Sequence, residues 1–238
     1  MAKETQADSS AEGLAFQPEC LLKSDLLGRV ERGHSSGGGG QSRTLCRRDI
    51  SQVSWWLRPI AGALLRRETR ALRQLSGLAG VSDLVSESRT SLLRTWLSGS
   101  PMQITKPKSL AYFENARRLL AQIHRAGVAH NDSAKEPNWL VLKNGEPSLI
   151  DFQLATISKR RGKIFRILAR EDIRHLLKHK RTYCPDSLTP RERKILQTPS
   201  PLSWIWMRTG KQIYLFMTRR IFGWQDREGA GDRGGVNP

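Results

Sequence analysis

Two short apolar runs, WLVL and PSLI, flank an Asn144-Gly145 pair, and no other feature of the 238-residue chain restricts its fold as tightly. Asn-Gly is the pair best suited to a two-residue type I′ turn, because both central positions need positive φ. With that pair at the turn centre, the register sets Asn138 opposite Asp151. Cross-strand partners in an antiparallel pair lie about 4.5 to 5.5 Å apart, so an amide oxygen and a carboxylate are expected side by side at the open end of the hairpin. That donor set suits a hard cation such as Mg2+, which takes oxygen ligands and keeps waters or phosphate oxygens in the rest of its shell. Asp132, on a tight loop six residues before Asn138, reaches the same place. Upstream, Leu110, Phe113, Ala116, Leu120 and Ile123 follow helical spacing, which predicts a helix ending at Gly127.

Read together, HNDSAKEPNWLV followed by LIDFQLA resembles the catalytic loop and metal-binding segment of the protein-kinase-like superfamily. The likeness is nearest to the small bacterial group related to RIO-type serine/threonine kinases and lipopolysaccharide core kinases. It implies that His130 is the loop's structural histidine, Asp132 the catalytic base, and Asn138 and Asp151 the magnesium ligands, with Lys135 a contact to the transferred phosphate. Two departures stand out. Five residues separate Asp132 from Asn138 where protein kinases have four, which bears on Lys135, and Gln153 stands where the glycine of DFG would be, implying a segment less free to swing. Singly, His130 and Asp132 need only form a turn and Asp151 only cap a structure. In this order, with a helix before and a hairpin between, they point to phosphoryl transfer.

A kinase-like site also needs a glutamate on the helix of its first lobe, holding a phosphate-binding cation. A helix is predicted over residues 55–75, with Ile60, Leu64, Leu72 and Leu75 on one stripe, Pro59 in its first turn and Gly77 past its end. Glu68 falls on that stripe, where an unpaired carboxylate would cost several kcal/mol. The usual strand lysine is missing, since no lysine occurs from Ser24 to Thr105. Arg48 occupies roughly its position and suits a bidentate pair with Glu68. Lys23, beside Gly28 in a segment expected to cover the nucleotide, is the alternative cation.

The expected architecture is therefore α+β and two-lobed: a disordered start (1–18), a sheet-and-helix lobe (19–100), a mainly helical lobe (101–225) and a disordered tail (226–238). Strands are predicted within residues 21–49, joined by a flexible loop at 37–40, and within 81–97, and a further helix after Asp151. Cys20, Cys46 and Cys184 are far apart and lack metal-ligand spacing, so neither a disulfide framework nor a zinc site is indicated. The N-terminus lacks a secretory pattern and no segment reaches the ~18 apolar residues of a span, so a cytoplasmic chain is expected. The expected reaction is ATP- and Mg2+-dependent transfer to a hydroxyl, with a protein serine or threonine the first choice of acceptor and a lipopolysaccharide sugar the second. A pseudokinase binding module is the alternative of a different class.

The net charge of +18 calls for an anionic partner. Residues 159–211 hold fifteen basic and four acidic side chains, and an aromatic stretch with Trp204, Trp206, Tyr214, Phe216, Phe222 and Trp224 overlaps their end. Two readings compete: peripheral docking on an anionic membrane face, to which each basic residue contributes roughly 1 kcal/mol, or aromatics that simply pack the helical lobe. Vesicle sedimentation separates them. Docking gives salt-sensitive binding to anionic liposomes; no binding at low ionic strength removes it, and salt-sensitive binding to RNA instead moves the partner toward the ribosome.

Overall fold

In the computed structural model, which describes residues 15–36 and 42–198, the chain opens with three antiparallel strands: β1 (Ala15–Asp25), β2 (Gly28–Ser36) and β3 (Ser42–Asp49). Strands β4 (Leu84–Glu87) and β5 (Ser91–Thr95) complete a five-stranded sheet in the order β1-β2-β3-β5-β4. β1 begins at Ala15, so residues 15–18, expected to be frayed, are strand. The glycine loop at 37–40, the aromatic stretch and the tail at 226–238 lie outside the described residues.

Helix α1 (Arg58–Gln74) crosses between β3 and β4. Pro59 presets φ in its first turn, and Gly77 follows its end at a φ of +76°. Its buried face runs through Ala61, Leu65, Glu68 and Leu72 rather than through Ile60, which is 53% exposed. The stripe is thus one position on from the expected one at its start, and Glu68 is on it as expected. Leu65 and Leu72 join one core with Leu92, Leu120, Ile123, Trp139, Leu149 and Phe152. Burying each such side chain is worth roughly 1.5–3 kcal/mol, so this shared core ties the helix to the segment that follows Asp151.

The second half begins with β6 (Gly99–Pro101), the short α2 (Met102–Thr105) and α3 (Leu110–Arg125). Helix α3 has the bounds its periodicity predicts, and Gly127, at a φ of +80°, turns the chain into β7 (Val128–Ala129). Strands β8 (Trp139–Leu142) and β9 (Pro147–Leu149) form the expected hairpin. Its register differs from the expected one. Gly145 N donates to the Leu142 carbonyl and Leu142 N to the Glu146 carbonyl, each at 2.9 Å, which makes a three-residue loop with Gly145 at a φ of +80°. Trp139 pairs with Leu149, and Asn138 accordingly meets Ile150, whose N–H donates to its carbonyl at 3.0 Å. Asp151 is one residue further on.

After Asp151, β10 (Thr156–Ile157) pairs antiparallel with β7, Ala129 opposite Thr156. The chain then enters α4 (Lys163–Tyr183) and reaches α5 (Pro190–Gln197). A boundary between two compact units falls between Glu192 and Arg193, and everything described below belongs to the first. No helix among the described residues is long and apolar enough to cross a membrane.

Two glycines with similar positive φ differ in their surroundings. A Cβ at Gly145 meets nothing within 4 Å, whereas one at Gly127 meets the Ser158 carbonyl at 2.8 Å. Gly145→Ala is expected to cost only the left-handed strain of about 1 kcal/mol, lowering Tm by roughly 2–4 °C, and Gly127→Ala to cost clearly more. Equal melting temperatures for the two variants would contradict this packing.

Candidate active site

The pairing of β7 with β10 brings the loop after Ala129 against the segment around Asp151. His130, fully buried, spans the two: its Nδ1 accepts from the Asp132 amide at 3.2 Å, and its Nε2 donates to the Ile150 carbonyl at 2.9 Å. Its ring also packs edge-on against Phe152. Asn131 adopts a positive φ of 65° and donates from Nδ2 to the Leu154 carbonyl and to Thr156 Oγ1, both at 2.8 Å.

The loop hangs from one side chain that the sequence reading missed. Asp172 of α4, with no exposed surface, accepts from the His130 amide at 2.8 Å, the Asn131 amide at 2.9 Å, Ser133 Oγ at 3.0 Å and His124 Nε2 at 3.1 Å. Burial alone would raise its pKa; the His124 hydrogen bond, the His130 and His124 rings and the His130 amide outweigh burial and hold the carboxyl below its ordinary value. The signal was available. Asp172 shares a face of α4 with the buried apolar residues Phe165 and Leu176, the same pattern that singled out Glu68.

Asp132 and Asn138 are brought together directly. Asn138 Nδ2 donates to the Asp132 carbonyl at 3.0 Å and to its Oδ2 at 3.1 Å, and Lys135 Nζ stands 3.0 Å from the same Oδ2. The amide nitrogen of Asn138 is thereby spent on Asp132, which fixes the orientation of Oδ1. Asp151 turns the chain at a φ of 67° and ψ of 72°, and Gln153 Nε2 donates to its Oδ1 at 2.8 Å. So Gln153, in place of a glycine, braces Asp151. Among the described residues no three His, Cys, Asp or Glu side chains gather as a metal cage. The donors at Asn138 and Asp151 are oxygens without thiolate or imidazole, a set that fits magnesium supplemented by water and phosphate oxygens.

Across from this segment, Glu68 is fully buried. Arg94 Nη1 donates to its Oε1 at 2.9 Å, and Arg48 Nη1 stands 3.6 Å from its Oε2, within ion-pair range but beyond a hydrogen bond. Arg94, on β5, was not singled out by sequence. Burial opposes its charge, yet Glu68, with smaller contributions from Cys46 and Asp151, raises its pKa above the ordinary guanidinium value. Lys23 is paired instead with Asp25 at 3.1 Å, on a strand separated from β3 by β2. Gly28 has a packing reason of its own: a Cβ there would lie 2.5 Å from the Asp49 carbonyl.

No family model matches the sequence, and no curated protein matches it. Among solved structures, the fold matches the Rio2 kinase from Chaetomium thermophilum, with a TM-score of 0.50 at 13% identity over 72% of this chain and 60% of that one. It also matches a Rio2 kinase-ADP/Mg2+-phosphoaspartate complex from the same organism, with a TM-score of 0.53 at 12% identity over 88% of this chain and 71% of that one. This chain therefore has the α+β, two-lobed protein-kinase-like fold of Rio2 kinase, and spans 60% of the length of the first of these relatives.

The loop is supported from below by His179, whose Nε2 donates to the Ser133 carbonyl at 3.0 Å. Burial holds both His175 and His179 below the ordinary imidazole value of 6.5. The folded protein keeps these rings neutral where the unfolded chain takes up protons, so their contribution to stability is complete above pH 6.5 and is lost as the pH falls below it. Denaturant unfolding at pH 7 and pH 5 is expected to show that loss, and His179→Gln, which retains a donor without titrating, to reduce it. An unchanged pH slope in His179→Gln would contradict the assignment.

Proposed function

We propose that this chain is an ATP- and Mg2+-dependent phosphotransferase that moves the γ-phosphoryl group of ATP to a hydroxyl. The observation that carries the reading is the bonded Asp132–Asn138 pair beside the braced Asp151, held on a loop and hairpin of a protein-kinase-like fold. Magnesium, held by Asn138 Oδ1 and the Asp151 carboxylate, would offset charge on the phosphates. Asp132 orients the acceptor hydroxyl and takes its proton, with Oδ2 already engaged by Asn138 and Lys135. His130 keeps the loop in place. Arg48 is the cation for the nucleotide phosphates, Lys135 a contact to the transferred group, and the β1–β2 turn at Gly28 the cover over the nucleotide.

A protein serine or threonine is the preferred acceptor, by analogy of fold. A sugar hydroxyl of lipopolysaccharide follows. The second reading is a nucleotide-binding module that does not transfer, and it is favoured by one observation: among the described residues, arginines and no lysine pair with Glu68.

Calorimetry and transfer from γ-labelled ATP separate these outcomes. Asp151→Asn is expected to weaken Mg2+-dependent ATP binding at least about tenfold, through loss of a direct ligand charge. Asp132→Asn should bind ATP and lose transfer by roughly 10²–10⁴-fold, the usual contribution of a general base. Binding without transfer in the unmodified protein would establish the module, and magnesium-ATP affinity equal in the unmodified protein and Asp151→Asn would remove Asp151 from the site.

A further inference from the structure

Strands β3 and β5 pair with Cys46 opposite Arg94 and Arg48 opposite Leu92. Residues opposite one another or two apart along a strand share a face, so Arg48 and Arg94 stand on one face as diagonal neighbours, about 7–8 Å apart at the backbone. Both turn toward Glu68 of α1, with side chains only 12% and 10% exposed. Two guanidinium groups thus converge on one carboxylate where little water reaches, so Glu68 by itself does not balance both.

The two are not equivalent. Arg94 makes the 2.9 Å hydrogen bond to Oε1, and the Asp151 carboxylate adds to the stabilisation of its charge. Among the described residues Arg48 has only Oε2, at 3.6 Å, and that buried oxygen accepts no hydrogen bond. Arg94 is therefore the better compensated cation, and Arg48 carries the charge that a phosphate would neutralise. A planar guanidinium suits both tasks, since it binds carboxylate and phosphate with the same fork.

We propose that the two tasks of a single strand lysine are divided here between neighbouring strands: Arg94 is the positioning residue that fixes Glu68, which leaves Arg48 to bind the nucleotide phosphates. The proposal rests on the phosphotransferase reading and makes a claim of its own, that Arg94 protects Arg48 from capture by Glu68. Without Arg94, a buried carboxylate in need of a cation draws Arg48 in and removes it from the phosphates.

The test is a rescue experiment on the full chain, read by calorimetric titration with a magnesium complex of a non-hydrolysable ATP analogue. Arg48→Ala is expected to weaken binding about tenfold or more, and adding Glu68→Gln should not restore it. Arg94→Ala is expected to weaken binding by a similar factor, and adding Glu68→Gln should bring it back to within about threefold of the unmodified protein. If Arg94→Ala fails to fold, Arg94→Lys supplies the comparison and should retain most of the affinity. Rescue of Arg48→Ala but not Arg94→Ala by Glu68→Gln, or unaltered affinity in Arg48→Ala, would overturn the division of roles. Absence of nucleotide binding in the unmodified protein would overturn the phosphotransferase reading itself, an outcome distinct from either.

Discussion

A carboxylate that never meets water, Asp172, is the interaction on which the candidate site depends. It accepts from two successive backbone amides, a hydroxyl and an imidazole, so the loop from His130 to Ser133 cannot relax without leaving buried donors unmatched. Each donor stranded in that way costs roughly 1–3 kcal/mol. The loop in turn holds Asp132, whose carboxylate receives Asn138, and the Asn138 carbonyl receives Ile150, the residue before Asp151. One helix therefore sets the positions of all three side chains through a short chain of hydrogen bonds. Glu68 plays a comparable part on the other side, gathering cations from two strands onto α1, while α1 packs through the shared core against Phe152.

What the sequence revealed and what it withheld follow from the range of the interactions. Helix α3 and the hairpin were legible because spacing and turn chemistry are local. The importance of Glu68 was legible for a similar reason, since a charge on an apolar stripe is anomalous wherever its partner lies. Arg94 was not, because its role depends on the non-local pairing that sets Cys46 opposite it. The register error at the hairpin has a narrower cause. Asn-Gly permits both a two-residue turn and a three-residue loop, and the Asn144 side chain, accepting from the Glu146 amide at 3.0 Å, belongs with the latter. Asn138 and Asp151 are consequently offset by one residue, and the left-handed turn at Asp151 begins just past the strand end.

The basic character of the chain divides in the same manner. On α4, Lys163, Arg166, Arg170, Lys178 and Arg181 are exposed, whereas Lys180 is buried and paired with Glu192 at 2.8 Å. A charge count treats these alike; the helix does not. The exposed members recur at helical spacing on the side away from Phe165, Asp172 and Leu176, so the helix that anchors the loop also presents a cationic stripe. Structure and charge thus use opposite faces of one element.

The central claim is that Asn138 and Asp151 form a metal site serving a nucleotide in this kinase-like fold. Its most direct test is a crystal structure of the protein with Mn2+ in place of magnesium and a non-hydrolysable ATP analogue, with the metal located by anomalous scattering. The account predicts an anomalous peak between Asn138 Oδ1 and the Asp151 carboxylate, completed by phosphate oxygens. A nucleotide bound with its metal away from both side chains would contradict it.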